Sequence, residues 1–281
     1  MPLSIKQALE MERELRPTSD SPLLDTEILL SFAVSQTREH LRANGAIFLT
    51  SDQEKKFMQL FNRRTFGEPV AYIVGKRAFW DFELLVNSSD LIPRPETEHL
   101  VELALELVTS RQEPIRIADL GTGSGAIAIA IARANEEWEI HAIEISESSL
   151  QVARLNAHNL GLRNIEFHMG SWCDGLPEKR FDLIVANPPY IKSGDSHLLK
   201  GDLPYEPLIA LVAEELGYSA LNEIIDQAHQ YLKKDAWLLI EHGYEQQETL
   251  INRLMDVGYV DAVGHKDFSG VNRVVLARWN S

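Results

Sequence analysis

The chain has 281 residues, 44% hydrophobic and 25% charged, with a formal net charge of −15. That balance is ordinary for a globular chain of one large or two smaller domains, and its longest apolar runs fall far short of a membrane-spanning helix. The charge is uneven: residues 1–75 hold 9 Lys/Arg against 10 Asp/Glu, and the remainder 18 against 32. So acidic a C-terminal two-thirds argues against a polyanion such as nucleic acid and for a protein partner with a basic face.

Cys173 stands alone, which excludes an internal disulfide and a Cys-based metal cluster. The opening stretch MPLSIKQALEMERELR carries acids and lacks an apolar core. No secretory signal is expected there, and a cytoplasmic location is.

Residues 1–74 read as a small all-helical domain. Ser4 and Gln7 have capping-box spacing, Leu23, Leu24, Ile28, Leu29 and Phe32 fall at helical intervals, and so do Phe57, Leu60 and Phe61. Residues 75–92, GKRAFWDFELLVNSSDLI, alternate aromatic and polar side chains and read as a β-hairpin linker. From residue 93 to 281 strands and helices alternate. The strands are expected over 115–120, 139–145, 165–169, 181–187, 236–242, 259–265 and 273–279. The helices are expected over 94–110, 123–135, 147–160, 217–233 and 244–257. The pattern predicts an α/β, Rossmann-like domain with a seven-stranded, mostly parallel sheet, its last two strands forming an antiparallel hairpin at one edge.

Ligands of such sheets gather beyond the carboxyl ends of the strands, near the switch in strand order. After the first strand comes LGTGSGA, where Gly121, Gly123 and Gly125, with Thr122 and Ser124 between them, allow a tight turn and a close backbone approach. Glu144 ends the second strand 23 residues past Gly121, near the about 20 expected of a carboxylate that accepts from ribose hydroxyls. Together these point to a nucleoside-containing cofactor. The turn also satisfies G-x-G-x-x-A, which leaves a nicotinamide dinucleotide open, although no dehydrogenase constellation of Lys, Tyr or His accompanies it. The fourth strand, FDLIVA, then stops at Asn187-Pro188-Pro189-Tyr190.

ADLGTGSG, Glu144 and VANPPY together resemble the S-adenosylmethionine-dependent methyltransferases whose NPPY signature marks transfer to a planar nitrogen. With GEPVAYIVGKRAFWDFELLVN, LIPRPETE, YEPLIAL, IEHGYEQ and DFSGVNRVVLAR in order, nearly the whole chain is similar to the HemK/PrmC family. That resemblance implies a class I methyltransferase fold and S-adenosyl-L-methionine as cofactor, with S-adenosyl-L-homocysteine as product. It implies methylation of the N5 amide nitrogen of the glutamine in the Gly-Gly-Gln motif of peptide chain release factors. The helical N-terminal domain is then expected to recognise the substrate, and a monomer is expected.

The residue chemistry agrees. Pro188 and Pro189 lack N–H groups and fix φ, and a residue preceding proline is held extended. The Asn187 side-chain oxygen and the Pro188 carbonyl are thus two stiff acceptors for the two N–H donors of a primary amide. Held out of the amide plane, those donors favour a pyramidal nitrogen whose lone pair is exposed, which stabilises the transition state more than the ground state. Tyr190 would stack on the flat amide. No strong general base is required, because the methylated nitrogen becomes acidic.

Trp172, in MGSWCDGL, is either a wall of the adenine site or a core aromatic, and the resemblance favours the first. Asp119 either meets the methionine ammonium or caps the strand end. Arg94, Glu96 and Thr97 in RPETE either shape a lid or cap the helix they precede. His242 is expected to be a satisfied strand-end residue and Cys173 a packed one. The histidines show no metal-ligand spacing, and no metal is expected.

Two features depart from the family pattern: Glu144 stands where aspartate is usual, and VAEELG replaces a glycine-rich turn after YEPLIAL, so the shape of loop 191–216 is open. That loop is polar and is expected to fold over the substrate. The alternatives are a ribosomal-protein glutamine methyltransferase, an N6-adenine or N2-guanine methyltransferase of nucleic acid, and a non-catalytic adaptor. The acidic domain and the intact NPPY argue against the last two, so nucleic acid is not expected as a direct substrate.

Overall fold

The structure, a computed structural model, describes residues 2–109, 115–177 and 180–280. Ser110, the last residue of the helix expected over 94–110, lies outside the described residues. The chain divides into two compact units. One is the chain up to Lys76 together with Ser196–Tyr205; the other is Arg77–Asp195 with Glu206–Ser281.

The first unit is helical: α1 (Ile5–Glu10), α2 (Pro22–Val34), α3 (Arg38–Ala43), α4 (Ser51–Thr65) and α5 (Val70–Val74). Ser4 and Gln7 form the expected capping box on α1, and Thr50 with Gln53 forms a second on α4. Both satisfy N–H groups that a helix start leaves without partners. Leu29, Leu30, Leu41, Phe57 and Phe61 are buried in its core, whereas Leu23, Leu24 and Phe32 of the apolar stripe on α2 remain exposed.

Charge is also buried here. Glu27 is held by Arg38 and Arg42, and Arg64 donates to Asp25 at 2.7 Å. Arg64 donates as well to the Gly67 and Glu68 carbonyls, and to Asp202 at 3.2 Å. Tyr205 donates its hydroxyl to the Phe66 carbonyl. These last contacts fasten Ser196–Tyr205 onto the end of α4, a long-range pairing no local pattern announces.

The hairpin is formed by β1 (Lys76–Phe79), which starts at the last residue of the first unit's opening segment, and β2 (Phe82–Leu85) of the second unit, with Trp80 at φ +56° in its turn. Asn156 accepts from Leu85 N–H at 2.7 Å and donates to its carbonyl at 3.0 Å. Next come α6 (Pro95–Val108), β3 (Arg116–Leu120), α7 (Ala126–Ala134), β4 (Glu139–Glu144), α8 (Glu147–Asn159), β5 (Ile165–Met169) and β6 (Phe181–Ala186). The loop after β6 holds β7 (Ile191–Lys192) and β8 (Val212–Ala213), a two-stranded parallel pair absent from the sequence expectation. The chain ends with α9 (Glu214–Gly217), α10 (Ser219–Ala228), β9 (Leu232–Glu241), α11 (Gln247–Val257), β10 (Val260–Lys266) and β11 (Asn272–Trp279). The helix expected over 217–233 ends early because β9 starts at Leu232.

The large sheet has seven strands in the order β10, β11, β9, β6, β3, β4, β5. Pairing is parallel from β9 through β6, β3 and β4 to β5, and antiparallel on both sides of β11. The expected hairpin is therefore present, with β10 on the edge and β11 inserted beside β9. Every residue of β6 is buried, as a continuous apolar run in a sheet covered on both faces requires. The first strand of the alternation, β3, and the fourth, β6, are neighbours, while β4 departs to the opposite side of β3. Strand order reverses there, which opens a crevice at the carboxyl ends of β3 and β6.

Candidate active site

Leu120 pairs with Ala186, so the next residues, Gly121 and Asn187, leave adjacent strands side by side. This register brings the glycine-rich turn and NPPY to one place.

Gly121, Gly123 and Gly125 have φ of +75°, +55° and +90°, a region other residues enter at a cost. Their N–H groups are engaged within the protein. Gly121 and Thr122 both donate to the Ile143 carbonyl at 2.9 Å, Gly125 donates to Thr122 O, and Gly123 donates to Glu144 Oε2 at 2.9 Å. Ser146 N–H donates to Glu144 Oε1, also at 2.9 Å. Two backbone donors therefore aim a buried carboxylate, and the extra methylene of glutamate spans the distance to the turn. Ser124 is buried, and its carbonyl is held by Asn156 at 2.9 Å.

Trp172 lies against Gly121: a Cβ there would meet the indole at 2.9 Å. Its φ is +43°, an uncommon backbone for a bulky residue. Asp119 has no exposure. Its Oδ2 accepts from Thr122 Oγ1 at 2.6 Å and from Ala128 N–H at 3.1 Å, which ties the end of β3 to the first turn of α7. Oδ1 is buried with no partner. Burial pushes the Asp119 carboxyl up to about 7, against the Thr122 and Ala128 hydrogen bonds and with the help of Glu144.

On the other side, Asn187 donates its Nδ2 to Thr97 Oγ1 at 3.1 Å. Pro188 is buried and Pro189 half-buried. Tyr190 donates its hydroxyl to Glu241 Oε1 at 3.4 Å, and burial raises the phenol pKa. The Tyr190 carbonyl accepts from Gln246 Nε2 at 3.3 Å; the same amide donates to Gly217 O, and Gln246 Oε1 accepts from Gly243 N–H. A Cβ on Gly217 would lie 2.4 Å from the Tyr190 carbonyl, so the backbone needs glycine there. The EHGYEQ stretch thus serves as the brace behind NPPY.

RPETE starts α6, with Pro95 in its first positions and Glu96 in its first turn. Arg94 is the N-cap residue of α6 but makes no side-chain cap. Its guanidinium pairs with Glu206, whose Oε2 accepts from Ile92 N–H at 3.0 Å. Thr97 faces Asn187. Glu241 and Glu206, both buried, together with Gln246, are the residues sequence reasoning missed. Their only signal was their place inside otherwise unexplained motifs, IEHGYEQ and YEPLIAL.

The VAEELG departure is equally concrete: Glu215 and Leu216 have φ of +52° and +59°, followed by Gly217 at +96°. The turn keeps a glycine-like backbone with one glycine.

His242 donates through Nδ1 to the Gly243 carbonyl, and burial lowers its pKa. Cys173 is buried, with its thiol pushed up to about 12. Strand pairing sets His141 opposite Glu166 and near His168, although 27 residues separate the two imidazoles in sequence. The imidazoles hydrogen-bond to each other at 2.9 Å, with the Glu166 carboxylate 3.7 Å from His141 and 3.8 Å from His168. No helix among the described residues is long and apolar enough to cross a membrane.

With this geometry in place, comparisons with known proteins agree. Residues 9–75 match the family described as PrmC N-terminal domain, and residues 112–262 match a methyltransferase domain. A release factor glutamine methyltransferase of Coxiella burnetii is 42% identical over 98% of this chain and 99% of its own length. One from Yersinia pestis is 44% identical over 93% of this chain and 94% of its own. Among solved structures, a methyltransferase from Pyrococcus furiosus shares the fold, with a TM-score of 0.54 at 15% identity, covering 81% of this chain and 99% of that one.

Proposed function

We infer the reaction from one premise: the chain belongs to the release factor glutamine methyltransferase family. It is a protein-glutamine N5-methyltransferase with a methyl donor of the S-adenosylmethionine type. The acceptor is the glutamine of the Gly-Gly-Gln motif in a peptide chain release factor, and the site of action is the cytoplasm.

The residues present fit that donor. Asp119 Oδ1 is a buried acceptor in need of a cation, and the methionine ammonium supplies one. Glu144, aimed by two backbone N–H groups, is set to accept from ribose hydroxyls. Trp172 offers an aromatic wall beside Gly121, and Gly123 leaves open space where a side chain would stand. The turn Gly121–Gly125 therefore contributes room more than donors, since its N–H groups are engaged internally. When bound, S-adenosylmethionine supplies an electrophilic sulfonium methyl and leaves as S-adenosylhomocysteine.

The chain's part is to present the nucleophile. Asn187 Oδ1 and the Pro188 carbonyl accept the two N–H groups of the glutamine amide and turn its lone pair out of conjugation. Tyr190, braced by Glu241 and by Gln246, stacks on the amide plane and limits its rotation. The observation that carries this reading is Asn187 Nδ2 bonded to Thr97, which leaves Oδ1 to face the acceptor. The test offers labelled methyl donor with a release factor, its Gln→Ala variant, a ribosomal protein and DNA. Label is expected on the release factor alone; label on DNA and not on protein refutes the assignment.

A further inference from the structure

Three side chains that the methyl-transfer reading does not use converge where β4 meets the edge strand β5. His141 lies beside Glu166 in the register, and Ile143 beside His168. Side chains two apart on a strand share a face, so His141, Glu166 and His168 stand on one side of the sheet. His141 Nδ1 is 2.9 Å from His168 Nε2, and Glu166 Oε2 is 3.7 Å from the first and 3.8 Å from the second. The point equidistant from three atoms so spaced lies about 2.0 Å from each, the length of a zinc bond to an imidazole nitrogen or a carboxylate oxygen.

The support behind His141 is the kind a metal-binding imidazole uses. Its Nε2 faces Glu139 Oε1 at 3.1 Å, and Glu139 Oε2 accepts from Arg116 Nε at 2.7 Å. A carboxylate only accepts, so its position assigns the hydrogen of His141 to Nε2 and turns the Nδ1 lone pair toward the cluster. A carboxylate in that place fixes the tautomer of a ligating histidine and raises its basicity. His141 has no exposure and meets the Phe181 ring edge-on, with centroids 5.4 Å apart. His168 and Glu166 are 27% and 59% exposed, which gives an ion a way in.

We propose that His141, Glu166 and His168 form a zinc site with water as the fourth ligand, against the expectation from the spacing of the histidines in sequence. The site stands independently of the methyl-transfer reading. Two imidazoles and one carboxylate suit zinc and argue against magnesium and calcium, which take oxygen ligands. In the metal-free chain His168 Nε2–H donates to His141 Nδ1. Zinc takes the lone pairs of both nitrogens instead, and the His168 proton passes through solvent to Nδ1 of its own ring. The two rings lie within 19° of one plane. Loading therefore turns each away from its partner and widens the 2.9 Å gap to about 3.3 Å, the span of two ligands at the tetrahedral angle.

The ion acts as a staple. β5 is the outer strand of the parallel set, and none of its five residues is fully buried, unlike those of β3, β4, β6 and β9. Bonds from His168 and Glu166 on β5 and from His141 on β4 fasten that strand through its side chains.

The test uses the full chain without an affinity tag, stripped with a chelator and titrated with zinc, with magnesium as the control. One zinc per chain is expected by calorimetry. In hundredfold excess over its Kd, zinc should raise Tm by about 5–10 °C, and magnesium should not. His168→Gln and Glu166→Gln change partly exposed side chains and should lose that shift. His158→Ala, at an exposed histidine of α8, should keep it. Glu139→Gln leaves every ligand in place and should weaken zinc binding about 10- to 100-fold. Cobalt(II) in the wild-type chain should give the intense visible bands of a four-coordinate ion, a readout that needs no variant. A wild-type Tm that zinc leaves unmoved, zinc binding that survives in both His168→Gln and Glu166→Gln, or a six-coordinate cobalt spectrum would each overturn the proposal.

Discussion

Gly121→Ala and Gly123→Ala form a matched pair that isolates Trp172. Both positions have left-handed φ, +75° and +55°, so each alanine costs about 1–2 kcal/mol of backbone strain. In a unit of this size that lowers Tm by about 2–4 °C per kcal/mol. The two differ in what the new methyl meets. At Gly123 nothing lies within 4 Å; at Gly121 the indole of Trp172 stands at 2.9 Å, inside ordinary van der Waals contact. The ring must move by several tenths of an ångström or more. If it walls the adenine site, the stacking lost is about 0.5–1.5 kcal/mol, or about 2- to 10-fold in donor Kd. Isothermal titration with S-adenosylmethionine reads the Kd, and thermal melts of the unliganded protein confirm comparable strain. Donor affinity that falls equally in the two variants removes Trp172 from the cofactor site.

Asn187→Ala should lower kcat about 100-fold or more, as loss of a transition-state hydrogen-bond partner does, while donor binding measured by titration stays near wild type. Asp119→Asn should weaken donor binding through loss of the carboxylate opposite the ammonium. Yet it should stabilise the unliganded protein above pH 7. The sign follows from proton uptake. Asp119 has a folded-state pKa of about 7 against about 3.9 unfolded. The folded state therefore holds the extra proton between those values, and stability is lost as pH rises through them. Urea melts at pH 5 and pH 8 should show that slope in wild type and a flatter one in Asp119→Asn. Glu206→Ala strands the Arg94 guanidinium and the Ile92 N–H, at a cost of about 2–3 kcal/mol after allowing for the solvent that reaches Arg94. A melt unchanged from wild type would contradict that role.

The strand–helix alternation, the antiparallel hairpin at one edge and the backbone demands of both turns were legible because each rests on local signals. An apolar run such as Phe181–Ala186 declares a buried strand, and the Gly121–Gly125 and Asn187–Tyr190 stretches are turns whose backbone demands show in their residue types. Thr97 was legible only as part of a helix start, since its partner Asn187 lies 90 residues on. Glu241 was only an unremarked residue of the strand expected over 236–242, and nothing near it in sequence names Tyr190. Loop 191–216 was the least readable. Its polar composition gives no period, and its structure comes from distant partners: Arg64 for Asp202, Phe66 for Tyr205 and Arg94 for Glu206. The glycine-like backbone at Glu215 and Leu216 was hidden because the residues that signal it are absent.

The short piece Ser196–Tyr205 makes the helical unit discontinuous in sequence: the chain enters it at the start, leaves after Lys76, returns for ten residues and leaves again. The unit is therefore no detachable module. A truncation starting at residue 77 discards the Arg64 and Phe66 partners of Asp202 and Tyr205 and strands an excursion spliced between NPPY and the Glu206 anchor. A chimera that exchanges residues 1–76 between relatives must carry those ten residues with it, or the graft separates Asp202 and Tyr205 from the Arg64 and Phe66 partners they evolved with.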